Sequence, residues 1–189
     1  VGKNCYTFDH AFGTAATQED VYIECVAPLV DATFEGVNGT LLAYGQTGSG
    51  KTFTMGTSGL PNVPEGALPR AIRAIFERAQ SRSGEGPTNF RITYVEIFTD
   101  SSKAKNVEEI RDLLTPGRGP TFATIKTCID GQIRLEGVTE HEVWSEQEAL
   151  SLLSLGSTAR ATCATRMNDS SSRSHAIFSL EVLQRRLVV

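Results

Sequence analysis

The sequence predicts an α/β fold with a mixed central β-sheet and helices on both faces, on three observations. Strand and helix patterns alternate along the 189 residues. The segment Thr40-Leu41-Leu42-Ala43-Tyr44 lacks polar alternation, as a strand covered on both faces does. A glycine-rich turn then joins it directly to a helix.

Taken in order, Cys5 to Asp9 alternates like a short strand. Thr17-Gln18-Glu19-Asp20 has the form of a capping box, with Thr17 as N-cap. Tyr22, Val26, Leu29, Val30, Thr33 and Phe34 keep a helical period down to Gly36, with Pro28 expected to kink or divide the helix. A helix from about Lys51 to Met55 precedes a short loop, Gly56 to Gly66. A further helix over Leu68–Ser81 presents Leu68, Ile72, Ile75, Phe76 and Ala79 on one face.

Asn89 to Phe98 is the clearest strand, with Phe90, Ile92 and Tyr94 on one face and Val95 and Ile97 on the other. The polar stretch Thr99 to Asn106 separates it from the apolar-acidic segment Val107 to Leu114, where Glu108, Glu109, Arg111 and Asp112 suggest a local ion-paired surface. Gly117 to Pro120 is a turn, and small strands then bend around Asp130-Gly131. Ser145-Glu146-Gln147-Glu148 opens another helix, with Ala149, Leu152, Leu153 and Leu155 inward and Gly156 weakening its continuation. Met167 to His175 is polar and serine-rich, Ile177 to Leu183 is a strand, and Leu187 to Val189 begins another. There is no internal repeat.

Composition bounds the function. Eighteen basic against twenty-two acidic side chains give a net charge of -4, a poor match to a nucleic-acid backbone over a wide surface. No run of eighteen apolar residues predicts a spanning helix, so no membrane insertion is expected. The first residues carry neither the basic start nor the apolar run of a signal peptide. Cysteines at 5, 25, 128 and 163 have no metal-pair spacing and read as free thiols in a reducing compartment. His10 and His141 stand without partners at ligand spacing.

The chemistry is concentrated in two places. Gly45-Gln46-Thr47-Gly48-Ser49-Gly50-Lys51-Thr52 matches G-x-x-x-x-G-K-[ST] at every fixed position, between an apolar segment and a helix. Glycines there let successive backbone N–H groups point inward as an anion nest, Lys51 supplies a point charge for the β and γ phosphates, and the Thr52 hydroxyl suits Mg²⁺. This makes the expected fold P-loop NTPase-like. The second place, Asn168-Asp169-Ser170-Ser171-Ser172-Arg173-Ser174-His175, is a polar loop whose hydroxyls and guanidinium suit phosphate or Mg²⁺–water contacts. By itself it equally describes a solvated serine-rich turn.

Together, YGQTGSGKTFTM (Tyr44 to Met55) and NDSSSRSHAIF (Asn168 to Phe178) closely resemble the kinesin motor domain. Further matches follow the same order: Phe8-Asp9 with Phe12, Thr17-Gln18 with Val21-Tyr22, Asn38 to Thr40, Pro69 to Ile72, Glu108 to Leu114, and Gly137 to Glu140. The resemblance covers essentially the whole chain and roughly the middle half of the motor. It implies a partial motor domain over residues 1–189, truncated at both ends, running from the P-loop through switch I. Switch II, D-x-x-G-x-E, would begin just after Val189, and the relay region that meets microtubules would follow. An apolar sheet edge left open there would invite self-association.

The resemblance also implies ATP-driven movement along microtubules by the parent protein, with ATP or ADP and Mg²⁺ as cofactors, tubulin as partner and a cytoplasmic, cytoskeletal location. Lys51, Thr52, Ser171, Ser172 and Arg173 would be catalytic. Gln46, Thr47, Gly48, Ser49, Gly50, Phe53, Asn168 and Ser174 would join Lys51 and Thr52 in holding nucleotide. Thr52 and Ser172 would face the metal, Ser171 the γ-phosphate or attacking water, and Arg173 a switch II glutamate. Phe53 takes a position near the adenine or packs into the core, and Tyr44 is structural. His175 has a structural role in the switch loop. The alternative is a kinesin-like fragment or isoform that binds nucleotide or microtubules without efficient turnover. Another P-loop class, such as a GTPase or small-molecule kinase, leaves Ser171 to His175 unexplained.

Two departures from the family pattern stand out. TDSSKAKNV (Thr99 to Val107) interrupts a usually continuous stretch, as a tolerated surface loop or as a contact of Lys103 and Lys105 with the acidic microtubule surface. The loop Gly56 to Gly66 is shorter than in many relatives. No subfamily, direction of travel or cargo follows from these residues.

Overall fold

The computed structural model describes residues 5–57, 62–100, 107–115, 122–128, 131, 133–166 and 174–184. The insertion lysines, the turn at 117–120, the segment 187–189, and Asn168, Ser171, Ser172 and Arg173 lie outside these.

The centre is β1 (Thr88–Asp100), the longest strand. Its alternation does what the sequence predicts: Phe90, Ile92 and Tyr94 enter one core, Val95 and Ile97 another. One edge of β1 is taken along its length by antiparallel β6 (Ser174–Gln184), from Thr88 opposite Gln184 to Phe98 opposite Ser174. The other edge is shared by β2 (Val107–Asp112) and β5 (His141–Val143), both antiparallel. Beyond β2 come β3 (Phe122–Thr127) and β4 (Ile133–Glu136), a hairpin as expected around residue 131. All pairings among the described residues are antiparallel.

The helices pack where their periodicity says. The capping box of Thr17 forms in full and starts α1 (Gln18–Val21). A π-helical turn over Tyr22–Val26 follows, and α2 (Ala27–Thr33) begins with Pro28 in its first turn. Pro28 therefore divides the helix, as predicted. Having no N–H and a ring that clashes with the carbonyl four residues back, it is accommodated where the helix restarts. Val26, Val30 and Phe34 are buried.

Helix α3 (Lys51–Met55) is short, and α4 (Ala67–Ser81) lays Ile72, Ile75 and Ala79 on the sheet. Helix α5 (Glu146–Arg166) runs unbroken through Gly156 and adds Ala149 and Leu153 to the same core. Phe76 against Phe90 (4.3 Å between centroids) and Tyr94 edge-on to Phe178 (5.4 Å) lock α4 and β6 to β1. Burial of Ile92, with no exposed surface, contributes about 2–3 kcal/mol.

Four expectations fail. Cys5 to Asp9 is irregular and exposed rather than a strand. Thr40 to Tyr44 is not a strand either: it joins no described ladder, and Leu42 and Tyr44 are 79% and 94% exposed. A buried strand needs a neighbour on each edge, and no described strand pairs with this segment. Tyr44 accordingly packs nothing, against its expected structural role. Finally, Arg111 and Asp112 are not a surface ion pair. Asp112 is buried, its carboxylate accepting the Leu114 N–H (2.9 Å) and the Thr139 N–H (2.8 Å), while Arg111 reaches inward to Glu96.

Candidate functional site

The residues Gly45 to Phe53 form one exposed loop ending on α3, so the structure brings Gln46, Thr47, Gly48, Ser49, Gly50, Lys51, Thr52 and Phe53 together as a continuous surface. Gly48 (φ 80°) and Gly50 (φ 93°) take the left-handed conformation that L side chains avoid. A Cβ on Gly45 would stand 2.4 Å from the Ser49 hydroxyl, which would have to turn away to admit it. The Ser49 N–H donates to the Gln46 carbonyl (3.2 Å), tightening the turn.

Helix α3 begins at Gly50 with no side-chain cap, and its first intrahelical bond runs from the Thr54 N–H to the Gly50 carbonyl (2.9 Å). The N–H groups of Lys51, Thr52 and Phe53 thus have no intrahelical acceptor. Lys51 folds back over the loop, its Nζ donating to the carbonyls of Gly45 and Gln46, both at 2.7 Å. The Lys51 cation thus lies beside a glycine turn and a helix start whose first N–H groups have no intrahelical acceptor.

A residue outside the glycine-rich motif supports this loop. Gln18, 7% exposed, donates through Nε2 to the Phe53 carbonyl at 2.6 Å. It ties α1 to α3 and braces the helix that presents Lys51 and Thr52. Its signal was a lone amide just inside a capped helix start. Phe53 itself is 48% exposed, so core packing does not account for its ring.

Of the serine-rich cluster, the described residues are Ser174 and His175, which open β6 opposite Phe98 and Ile97. His175 is exposed. Ser174 is approached by Arg160 of α5, whose Nη2 donates to its carbonyl (3.4 Å) and hydroxyl (3.3 Å). Arg160 in turn lies on Glu96 of β1 (3.3 Å), a carboxylate only 4% exposed. No local pattern announces this pairing, because its partners come from three separate elements.

The family model described as the kinesin motor domain matches residues 1–188. The chain is 39% identical to the kinesin-like protein KIN-4A of Oryza sativa subsp. japonica, covering 98% of the chain and 19% of that relative. It is 40% identical to kinesin-related protein 8 of Dictyostelium discoideum (95% and 9%) and 41% to the chromosome-associated kinesin KIF4 of Xenopus laevis (97% and 15%). It therefore spans less than a fifth of each of these relatives. Among solved structures, a fast kinesin described for its ATPase mechanism and interactions with microtubules superposes with a TM-score of 0.82 at 35% identity, covering 94% of this chain and 48% of that one. With a family match over nearly every residue and the same fold at that identity, the chain belongs to the kinesin motor-domain family.

Proposed function

We propose that the protein carrying this chain is an ATP-driven microtubule motor, and that residues 1–189 are the part of its motor domain from the phosphate-binding loop through switch I. The observation that carries this is the loop itself: glycines at positive φ, N–H groups without intrahelical acceptors, and Lys51 resting on two carbonyls. Those carbonyls hold a cation that a phosphate would hold better, because a charged acceptor makes the stronger hydrogen bond.

In this reading the backbone of Gly48 to Thr52 and the Lys51 ammonium hold the phosphates, with Gln46, Thr47 and Ser49 forming the rest of the wall. Phe53 lies beside the base. The Thr52 and Ser172 hydroxyls face Mg²⁺, and Asn168 and Ser174 border the nucleotide. Ser171 faces the γ-phosphate or the water, and Arg173 pairs with a switch II carboxylate. Bound Mg²⁺ neutralises charge on the transferring phosphoryl group. The partner is the microtubule, and the location cytoplasmic and cytoskeletal.

A second reading is favoured by Thr40 to Tyr44. With Leu42 and Tyr44 open to solvent, the chain presents the loop after a segment that joins no described ladder, and binds nucleotide without efficient turnover. Steady-state ATPase of the intact protein with and without microtubules tests the first reading. Microtubule-stimulated turnover that disappears in Lys51→Ala is the expected result. A folded intact protein with no stimulation overturns it.

A further inference from the structure

Glu96 lies at the meeting point of three elements, almost without solvent. Its two oxygens face two different guanidinium groups: Oε2 is 3.6 Å from Nη1 of Arg111 on β2, and Oε1 is 3.3 Å from Nε of Arg160 on α5. Arg111 is Glu96's cross-strand partner and lies over the Phe98 ring, 4.3 Å from its centroid. One carboxylate thus faces two cations. For stability alone Arg111 would suffice, since a single well-held arginine balances a buried carboxylate and a second adds desolvation cost.

The second arginine has a direction. Its Nε is engaged by Glu96, and the guanidinium is planar, so Nη2 is aimed by that contact. It points at Ser174, meeting both the carbonyl and the hydroxyl. We propose that Arg160 is a positioning residue of the nucleotide site: fixed by Glu96, it sets the backbone and hydroxyl of Ser174 where β6 begins. The inference rests on the reading of Ser174 as a residue bordering the nucleotide. Arg160 acts through Ser174 and touches no reacting group itself.

The test is steady-state ATPase and fluorescent-nucleotide affinity of the intact protein as wild type, Arg160→Ala and Arg160→Lys, with thermal melting of each and Lys51→Ala alongside. Arg160→Ala is expected to keep nucleotide affinity within about threefold while kcat falls about tenfold or more, the pattern of a misplaced group rather than a lost binding contact. Arg160→Lys keeps the charge but reaches one acceptor in place of two, and kcat should lie between the others. Wild-type kcat in a folded Arg160→Ala overturns the proposal, as does loss of affinity in step with kcat. If Arg160→Ala does not fold, Arg160→Lys decides: reduced kcat at unchanged affinity supports the assignment, and wild-type kcat refutes it. Failure of the underlying site shows separately, as nucleotide binding that survives Lys51→Ala.

Discussion

Replacing Gly156 by alanine should destabilise the protein, although alanine is the better helix former. Gly156 lies inside α5, where this change at a solvent-facing position gains about 0.8–1 kcal/mol. Here an added Cβ would fall 2.2 Å from Cδ1 and 2.7 Å from Cε1 of Tyr94. Ordinary carbon contacts are about 3.5–4.0 Å, so ring or helix must retreat by more than roughly an ångström. The ring has no easy exit, being 2% exposed and edge-on to Phe178.

Overpacking of this kind costs about 1–3 kcal/mol. With the propensity gain subtracted, a net loss of up to roughly 2 kcal/mol remains, equivalent to a melting point lower by up to roughly 8 °C for a domain of this size. Thermal melting followed by circular dichroism measures it, and Tyr94→Leu, which removes the ring, should shrink the penalty. Arg160 lies about one helical turn further along α5, so a displaced helix should also lower turnover. A melting point that rises in Gly156→Ala would refute the packing argument.

Three further outcomes follow from the same contacts. Asp112→Ala strips two inward N–H groups, those of Leu114 and Thr139, of their acceptor; urea unfolding should show a loss of about 3 kcal/mol, and one below about 1 kcal/mol contradicts it. Asp20 is held below its ordinary value of 3.8 first by the Thr17 N–H and then by the Thr17 hydroxyl. Its support of the α1 start is therefore complete above that value and lost as pH falls through the lowered one, and an NMR carboxyl titration with its midpoint at or above 3.8 contradicts this. Gln18→Ala removes the brace on the Phe53 carbonyl. Nucleotide affinity should fall about fivefold, the equivalent of one hydrogen bond, and unchanged affinity would separate the brace from binding.

What the sequence made legible was local. Ile72, Ile75 and Ala79 announce α4 by their spacing, and Phe90 to Ile97 announce β1 by alternation, because each pattern depends on a period the chain itself carries. The loop from Gly45 to Thr52 was legible for the same reason, since its glycines answer to backbone conformation within eight consecutive residues. Partners distant in sequence were not legible. Arg111 and Asp112 read as surface charges because nothing beside them shows that Glu96 and the Thr139 N–H lie opposite. Gly156 read as a helix weakener because the ring it admits belongs to another element. Thr40 to Tyr44 has a buried strand's composition, yet a ladder depends on neighbours that composition cannot supply. Pro28 marks the division of the first helix, while nothing in the sequence announces the π turn before it.

The central claim is that the loop from Gly45 to Thr52 is a phosphate cradle whose cation is Lys51. Its most direct test is titration of the purified chain with a fluorescent ATP analogue and Mg²⁺, beside Lys51→Ala. Saturable binding that is lost in the variant is the predicted result. A folded chain that binds nothing at millimolar nucleotide, or binds equally well without the lysine, would contradict it.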